Sequence, residues 1–211
     1  MQIKRTNFIR GDVATVPASV SLGALNNGFL WAKTADFNSD VDVLNYALTL
    51  EYLEAEFYRQ GNSAGLVSGK EADYLDAVQS DEESHVATIM ATVKKLGGEP
   101  VAAPAVDFGD AFDSREKYLT TAHVFENKGV GAYLGAAGFI QDKAILQAAA
   151  GIFGVEARHA AVVGNLLGLE AEGGVYMGVT ETPLTKDAVL KAIAPFLAGA
   201  GAMGDGAAVT L

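Results

Sequence analysis

Between residues 40 and 170 the apolar positions recur at helical rather than strand spacing, and turn residues break the pattern into four long segments. Leu44, Leu48, Ala55 and Tyr58 follow the i, i+4, i+7 rule, with Ser39 or Asp40 as cap and Gly61 as expected stop. Ser68 with Glu71 three residues on has the form of a capping box and predicts a second helix to about Leu96, ended by Gly97-Gly98 before Pro100. Residues 98–113 contain Pro100, Pro104 and Gly109 and read as a long connection. Ser114 caps a third helix to about Ala137, and a fourth runs from about Gln141 to Leu169, with Gly173-Gly174 closing the region. Thr185 caps a short fifth helix. Short loop, long loop, short loop predicts an all-α antiparallel four-helix bundle with one long crossover. The expected division is an irregular N-terminal arm over 1–38, the bundle over 39–170, and an extension over 171–211 whose Gly/Ala-rich end from Gly199 is expected to be mobile.

The two halves of this pattern repeat. Glu51 precedes Tyr58 by seven residues, and Glu126 precedes Tyr133 by seven. Glu82 and His85 form Glu-x-x-His, as do Glu156 and His159, each pair about 30 residues after its upstream glutamate. Residues three apart share a helix face, so each pair can offer a carboxylate and an imidazole to one ion. Two such pairs plus one Glu from each of two further helices make the donor set of a dinuclear carboxylate centre inside a bundle. The candidate metal residues are therefore Glu51, Glu82, His85, Glu126, Glu156 and His159. Glu54, one turn from Glu51, is the alternative first-helix ligand, while Glu83 is turned about 100° away and reads as surface. His123, three before Glu126, matches Leu48 in the first half, which argues against a ligand role. Tyr58 and Tyr133 read as core residues, with a hydrogen bond to a metal-bound carboxylate as the other reading. Gly129, Gly131, Gly135 and Gly138 weaken the third helix and are expected to serve close packing.

Composition narrows the chemistry. The net charge of −11 disfavours nucleic-acid partners. The absence of cysteine excludes disulfides, zinc–thiolate sites and cysteine-ligated iron–sulfur clusters. No apolar run approaches the ~20 residues of a membrane span. Carboxylates with imidazoles suit two divalent ions, iron or manganese, with small oxidants as partners. Lys4-Arg5 with Phe8-Ile9 is a degenerate form of a twin-arginine export signal; export follows if it functions, and a cytoplasmic location otherwise.

The string Asn45-Tyr46-Ala47-Leu48-Thr49-Leu50-Glu51-Tyr52-Leu53-Glu54-Ala55-Glu56-Phe57-Tyr58 resembles the first-helix signature of ferritin-like domain proteins, in the branch that includes desiccation-related proteins. Glu126-Asn127-Lys128-Gly129-Val130-Gly131-Ala132-Tyr133 is similar to that branch's third helix, and the resemblance covers roughly residues 38–170. It implies a ferritin-like bundle and a site from the six residues above. Two functions are then expected: redox chemistry with oxygen or peroxide in stress protection, or metal binding and desiccation protection without turnover. Neither the metal nor the oligomeric state, a homo-oligomer included, is fixed by any motif.

Overall fold

The structure, a computed structural model, describes residues 36–198. The predicted arm up to residue 35, with its Lys4-Arg5 motif, and the tail from Gly199 lie outside the described residues. Helices α1 (Asp40–Ser63), α2 (Lys70–Lys95), α3 (Arg115–Ala136) and α4 (Lys143–Leu166) form the bundle, and α5 (Lys186–Ile193) follows. Short 3₁₀ turns follow α3 at Ala137–Phe139 and α5 at Ala194–Phe196. Among the described residues there is no β-strand, only two isolated bridges, of which Val106–Leu197 ties the long connection to the end of the α5 segment.

The predicted caps hold at three helices. Ser39 Oγ accepts from the Asp42 amide at 3.1 Å, Ser114 Oγ from Lys117 and Thr185 Oγ1 from Ala188, both at 3.2 Å. Gly97, with φ +79°, ends α2 as expected. Two local expectations give way to tertiary contacts. The capping box at Ser68 does not form: α2 begins after Gly69 with no side-chain cap. Glu71 is drawn instead to Arg115, at 2.6 and 2.9 Å, and Arg115 also donates to the Leu166 carbonyl at 2.9 Å. One guanidinium thus joins the starts of α2 and α3 to the end of α4. Gly61 does not stop α1, which continues to Ser63. Its role is steric, because a Cβ there would fall on the ring of Tyr118 on α3.

Each helix runs antiparallel to its neighbours. Asn62 at the end of α1 bonds to Leu75 and Gln79 near the start of α2, and Tyr118 at the start of α3 donates to Asn62 at 2.7 Å. The long connection is pinned by Asn45, which donates to the Glu99 carbonyl and accepts from the Val101 amide, both at 3.0 Å. One end of the bundle is filled by aromatic rings. Phe57 lies 5.0–5.4 Å from the rings of Phe108, Phe112, Tyr118 and Phe125, within the usual range for edge and tilted pairs. The segment before α5 packs on α3, where a Cβ on Gly135 would overlap the Leu184 carbonyl, so this glycine serves close packing as expected.

Candidate metal centre

Four carboxylates and two imidazoles meet midway along the bundle. Glu51 comes from α1, Glu82 and His85 from α2, Glu126 from α3, and Glu156 and His159 from α4. The four glutamates are 0% exposed; His85 and His159 are 9% and 5% exposed. A helix presents residues three apart on one face, which is why α2 and α4 each deliver two donors inward. The structure thus brings together all six residues that the spacing selected.

Their arrangement is two overlapping groups. Glu51, Glu82, His85 and Glu156 place one donor atom each within 4.8 Å of one another, and so do Glu82, Glu126, Glu156 and His159. Glu82 and Glu156 belong to both, so each carboxylate can span two positions. His85 Nδ1 lies 3.1 Å from Glu51 Oε2, 3.1 Å from Glu82 Oε2 and 3.3 Å from Glu156 Oε1. His159 Nδ1 lies 2.8 Å from Glu82 Oε1 and 3.4 Å from Glu126 Oε2. Carboxylate and imidazole bonds of about 2.0–2.2 Å put neighbouring donors about 2.8–3.4 Å apart around one ion.

The hydrogen bonding fits the same reading. Glu82 Oε1, Glu126 Oε2, both oxygens of Glu156 and His159 Nδ1 are buried and have no hydrogen-bond partner. His159 Nδ1 and Glu82 Oε1 are close enough to bond yet are not aligned to do so. Buried polar atoms ordinarily find partners, so five orphans in one small volume call for a cation.

Outer contacts fix the ligands from behind. Tyr58 of α1 donates to Glu126 Oε1 at 2.5 Å, and Tyr133 of α3 donates to Glu51 Oε1. Each tyrosine thus serves the glutamate of the other half, so the pairing is exchanged across the bundle. His159 Nε2 lies 3.1 Å from Asp81 Oδ2, which orients the ring and leaves Nδ1 facing the centre. Asp81 is exposed and was not marked by the sequence pattern, because its equivalent in the second half is Val155. Glu54 is also buried, 3% exposed, but lies outside both groups. Gly129 faces it rather than serving helix packing: a Cβ there would meet Glu156 Oε2 at 2.8 Å and Glu54 Oε1 at 3.2 Å. His123 Nε2 lies 3.1 Å from the Gly174 carbonyl, away from the centre, and Glu83 is exposed, as its helix position predicted.

Burial and like charge set the electrostatics. Burial opposes charge on His85, but the carboxylates of Glu156, Glu51 and Glu82 overcome it and push the imidazole up to about 12. His159 is raised to about 11 against burial by Glu126 and Glu82. Glu82 is itself buried, yet the two imidazoles draw it down to about 2. Glu51 is pushed up to about 8, chiefly by burial, and burial also raises Glu54, Glu126 and Glu156. The centre is an over-supply of negative charge in a dry interior, a site that stores protons or binds cations.

Beside it, an apolar cavity of about 40 Å³ runs toward the end of the bundle where α1 begins, lined among others by Leu44, Leu50, Ile89, Ile152 and Tyr133. No described helix is long and apolar enough to cross a membrane.

A family model for the ferritin-like domain matches residues 39–169. No curated protein matches the chain. Among solved structures it is similar to ferritin-like, diiron-carboxylate proteins from Bacillus anthracis str. Ames, with 23% identity and a TM-score of 0.51 over 60% of this chain and 94% of that one. At that identity the likeness carries the fold alone.

Proposed function

This chain belongs to the ferritin-like domain family, and from that premise we propose that its buried cluster holds two divalent ions, iron or manganese, and performs redox chemistry with oxygen or peroxide in stress protection. The observation that carries the proposal is the set of five buried donor atoms without hydrogen-bond partners. Glu51 and His85 would hold one ion and Glu126 and His159 the other, with Glu82 and Glu156 within reach of both. Bound iron or manganese supplies the electron exchange. The protein's residues do the rest. Tyr58 and Tyr133 hold the terminal carboxylates by hydrogen bonds, Asp81 orients His159, and the bundle excludes water. The apolar cavity beside Tyr133 suits a small uncharged oxidant better than a charged substrate. The division into arm, bundle and C-terminal extension, and placement in the desiccation-related branch, are proposed on the same footing.

Metal analysis of protein purified without chelator, followed by reconstitution and assay with peroxide, tests this. Two ions per chain and metal-dependent turnover are expected. His85→Ala and Glu126→Ala should abolish turnover while the far-UV helical signal persists. Two bound ions with no turnover would favour metal binding and protection without catalysis. No bound metal would leave a structural ionic cluster.

A further inference from the structure

The internal repeat breaks inside the centre, at Glu54 and Gly129. Glu51 matches Glu126 and Tyr58 matches Tyr133, each 75 positions apart, and by the same offset Glu54 on α1 matches Gly129 on α3. Both positions lie one turn after a proposed ligand. The first half carries a carboxylate there and the second carries no side chain. The two differences are complementary in space. A Cβ on Gly129 would sit 3.2 Å from Glu54 Oε1 and 2.8 Å from Glu156 Oε2, so the missing side chain opens the hollow that these two carboxylate oxygens share. Glu156 Oε2 is buried and unpartnered, and Glu54, 3% exposed, stands beside it among the carboxylates of Glu156, Glu82, Glu126 and Glu51. Five carboxylates crowded into one interior are expensive, two imidazoles do not balance them, and ions held at the centre would offset the remaining charge.

We propose that Glu54 is a fifth carboxylate of the centre, seated in the hollow left by Gly129, and that it favours the higher oxidation state of the bound metals. This rests on the dinuclear reading above. Charge balance gives the direction. The carboxylates of Glu51, Glu82, Glu126 and Glu156 cancel two divalent ions, with neutral imidazoles completing the set. A fifth carboxylate leaves one negative charge over. That charge is cancelled when one ion gives up one electron to an external oxidant and becomes trivalent. In a dry interior an uncancelled charge interacts strongly, so the surplus carboxylate shifts the divalent–trivalent equilibrium toward the trivalent form. Glu54 reaches this position from α1, so the two halves of the repeat supply unequal charge to a centre whose other ligands are paired.

The test is a redox titration of the full chain loaded anaerobically with ferrous iron, with iron content measured on the same samples. Glu54→Gln keeps the shape and removes the charge. It should retain two irons per chain and raise the midpoint, so that at fixed potential the ratio of oxidised to reduced centre falls at least tenfold, equivalent to about 59 mV for a one-electron couple. A second variant, Glu54→Ala, removes the same charge without an amide and should give the same raised midpoint as Glu54→Gln. Two irons with an unshifted midpoint in Glu54→Gln would mean that Glu54 is a neutral, space-filling acid, and would overturn the inference alone. A Glu54→Ala variant that folds, loads two irons and keeps the wild-type midpoint would also overturn it. A wild type that takes up no iron would overturn the inference together with the dinuclear reading beneath it.

Discussion

The α1–α2 pair and the α3–α4 pair carry one pattern twice: a glutamate, a tyrosine seven residues on, and a Glu-x-x-His on the partner helix. The copies face each other and exchange partners, Tyr58 serving Glu126 and Tyr133 serving Glu51. Two of their departures add a carboxylate at or behind the centre. Glu54 stands opposite Gly129 in the repeat, and Asp81 stands opposite Val155. Both extra carboxylates come from the first half. His159 therefore has an orienting acid behind its ring, and Val155 offers His85 none. A duplicated frame supplies the ion pair of positions; the departures make those positions unequal.

The largest expected effect separates the two shared carboxylates. In the proposed centre Glu82 and Glu156 take equivalent places, since both belong to both donor groups, and Ala at either should remove both ions, read by elemental analysis. In the metal-free protein they are opposites. Glu82 is held near 2 by both imidazoles, whereas burial raises Glu156. Glu82→Ala strips the carboxylate that compensates two charged rings and should cost the metal-free bundle about 3–5 kcal/mol. Glu156→Ala removes a carboxylate that burial raises and that faces one charged ring, His85, rather than two, and should cost less. Chemical denaturation of the metal-free variants checks this, and equal losses would erase the contrast.

These differences mark the limit of what the chain discloses before it folds. The six convergent residues were legible because helical spacing puts Glu82 with His85 and Glu156 with His159, and because duplication made the coincidence improbable. The bundle and its crossover followed from loop lengths. The asymmetric residues were not legible, since a repeat highlights what it shares and Asp81 and Glu54 have no counterparts. By spacing alone Glu54 is an alternative to Glu51; the fold buries both, and only Glu51 enters a donor group. Gly61 and Glu71 misled for a related reason. Each has a plausible local role, and each is claimed by a side chain more than 40 residues away, Tyr118 or Arg115.

Asp81→Asn comes next in size. It keeps the shape but weakens the contact that orients His159, and changes of this kind behind a metal-bound imidazole cost about 10–100-fold in affinity or activity. The loss should fall on the His159 position alone. A cobalt(II) titration followed by absorption should show one ion weakened and the other unchanged. Equal weakening at both positions would show that the two rings are not independently oriented.

Acidity sharpens the comparison between metal-free and loaded protein. Glu51, pushed up to about 8 by burial, keeps a proton in the fold that the unfolded chain releases near its ordinary 4.5. Between those values the folded state binds more protons, so metal-free stability falls as pH rises. The imidazoles add to the same slope. Their pairing is fully stabilising below the ordinary value of 6.5 and is lost progressively above it until pH passes about 11–12. Metal at the proposed centre would displace these protons, so its affinity should rise with pH. The gap in melting temperature between loaded and metal-free protein should widen steadily from about pH 5 to about pH 8. A gap that narrows over that range would contradict proton displacement at this cluster.

The smallest effect tests the part of the frame that is shared. Tyr58→Phe and Tyr133→Phe each delete one hydroxyl that donates to a buried carboxylate in the opposite half. Hydrogen bonds to charged groups contribute about 1.5–3 kcal/mol, but a bound ion also satisfies the carboxylate, so the loss in loaded protein should sit at the low end. For a domain of this size about 1.5 kcal/mol lowers the melting temperature by roughly 3–6 °C. Because the exchange is reciprocal, the two variants should match within a degree or two, with metal content unchanged. Burial raises both phenols well above their ordinary value, so each stays a donor across the whole accessible pH range and the match should not depend on pH. A loss confined to Tyr133→Phe would instead implicate the apolar cavity that Tyr133 lines and Tyr58 does not, and would place the functional asymmetry at the end of the bundle rather than at the ligands.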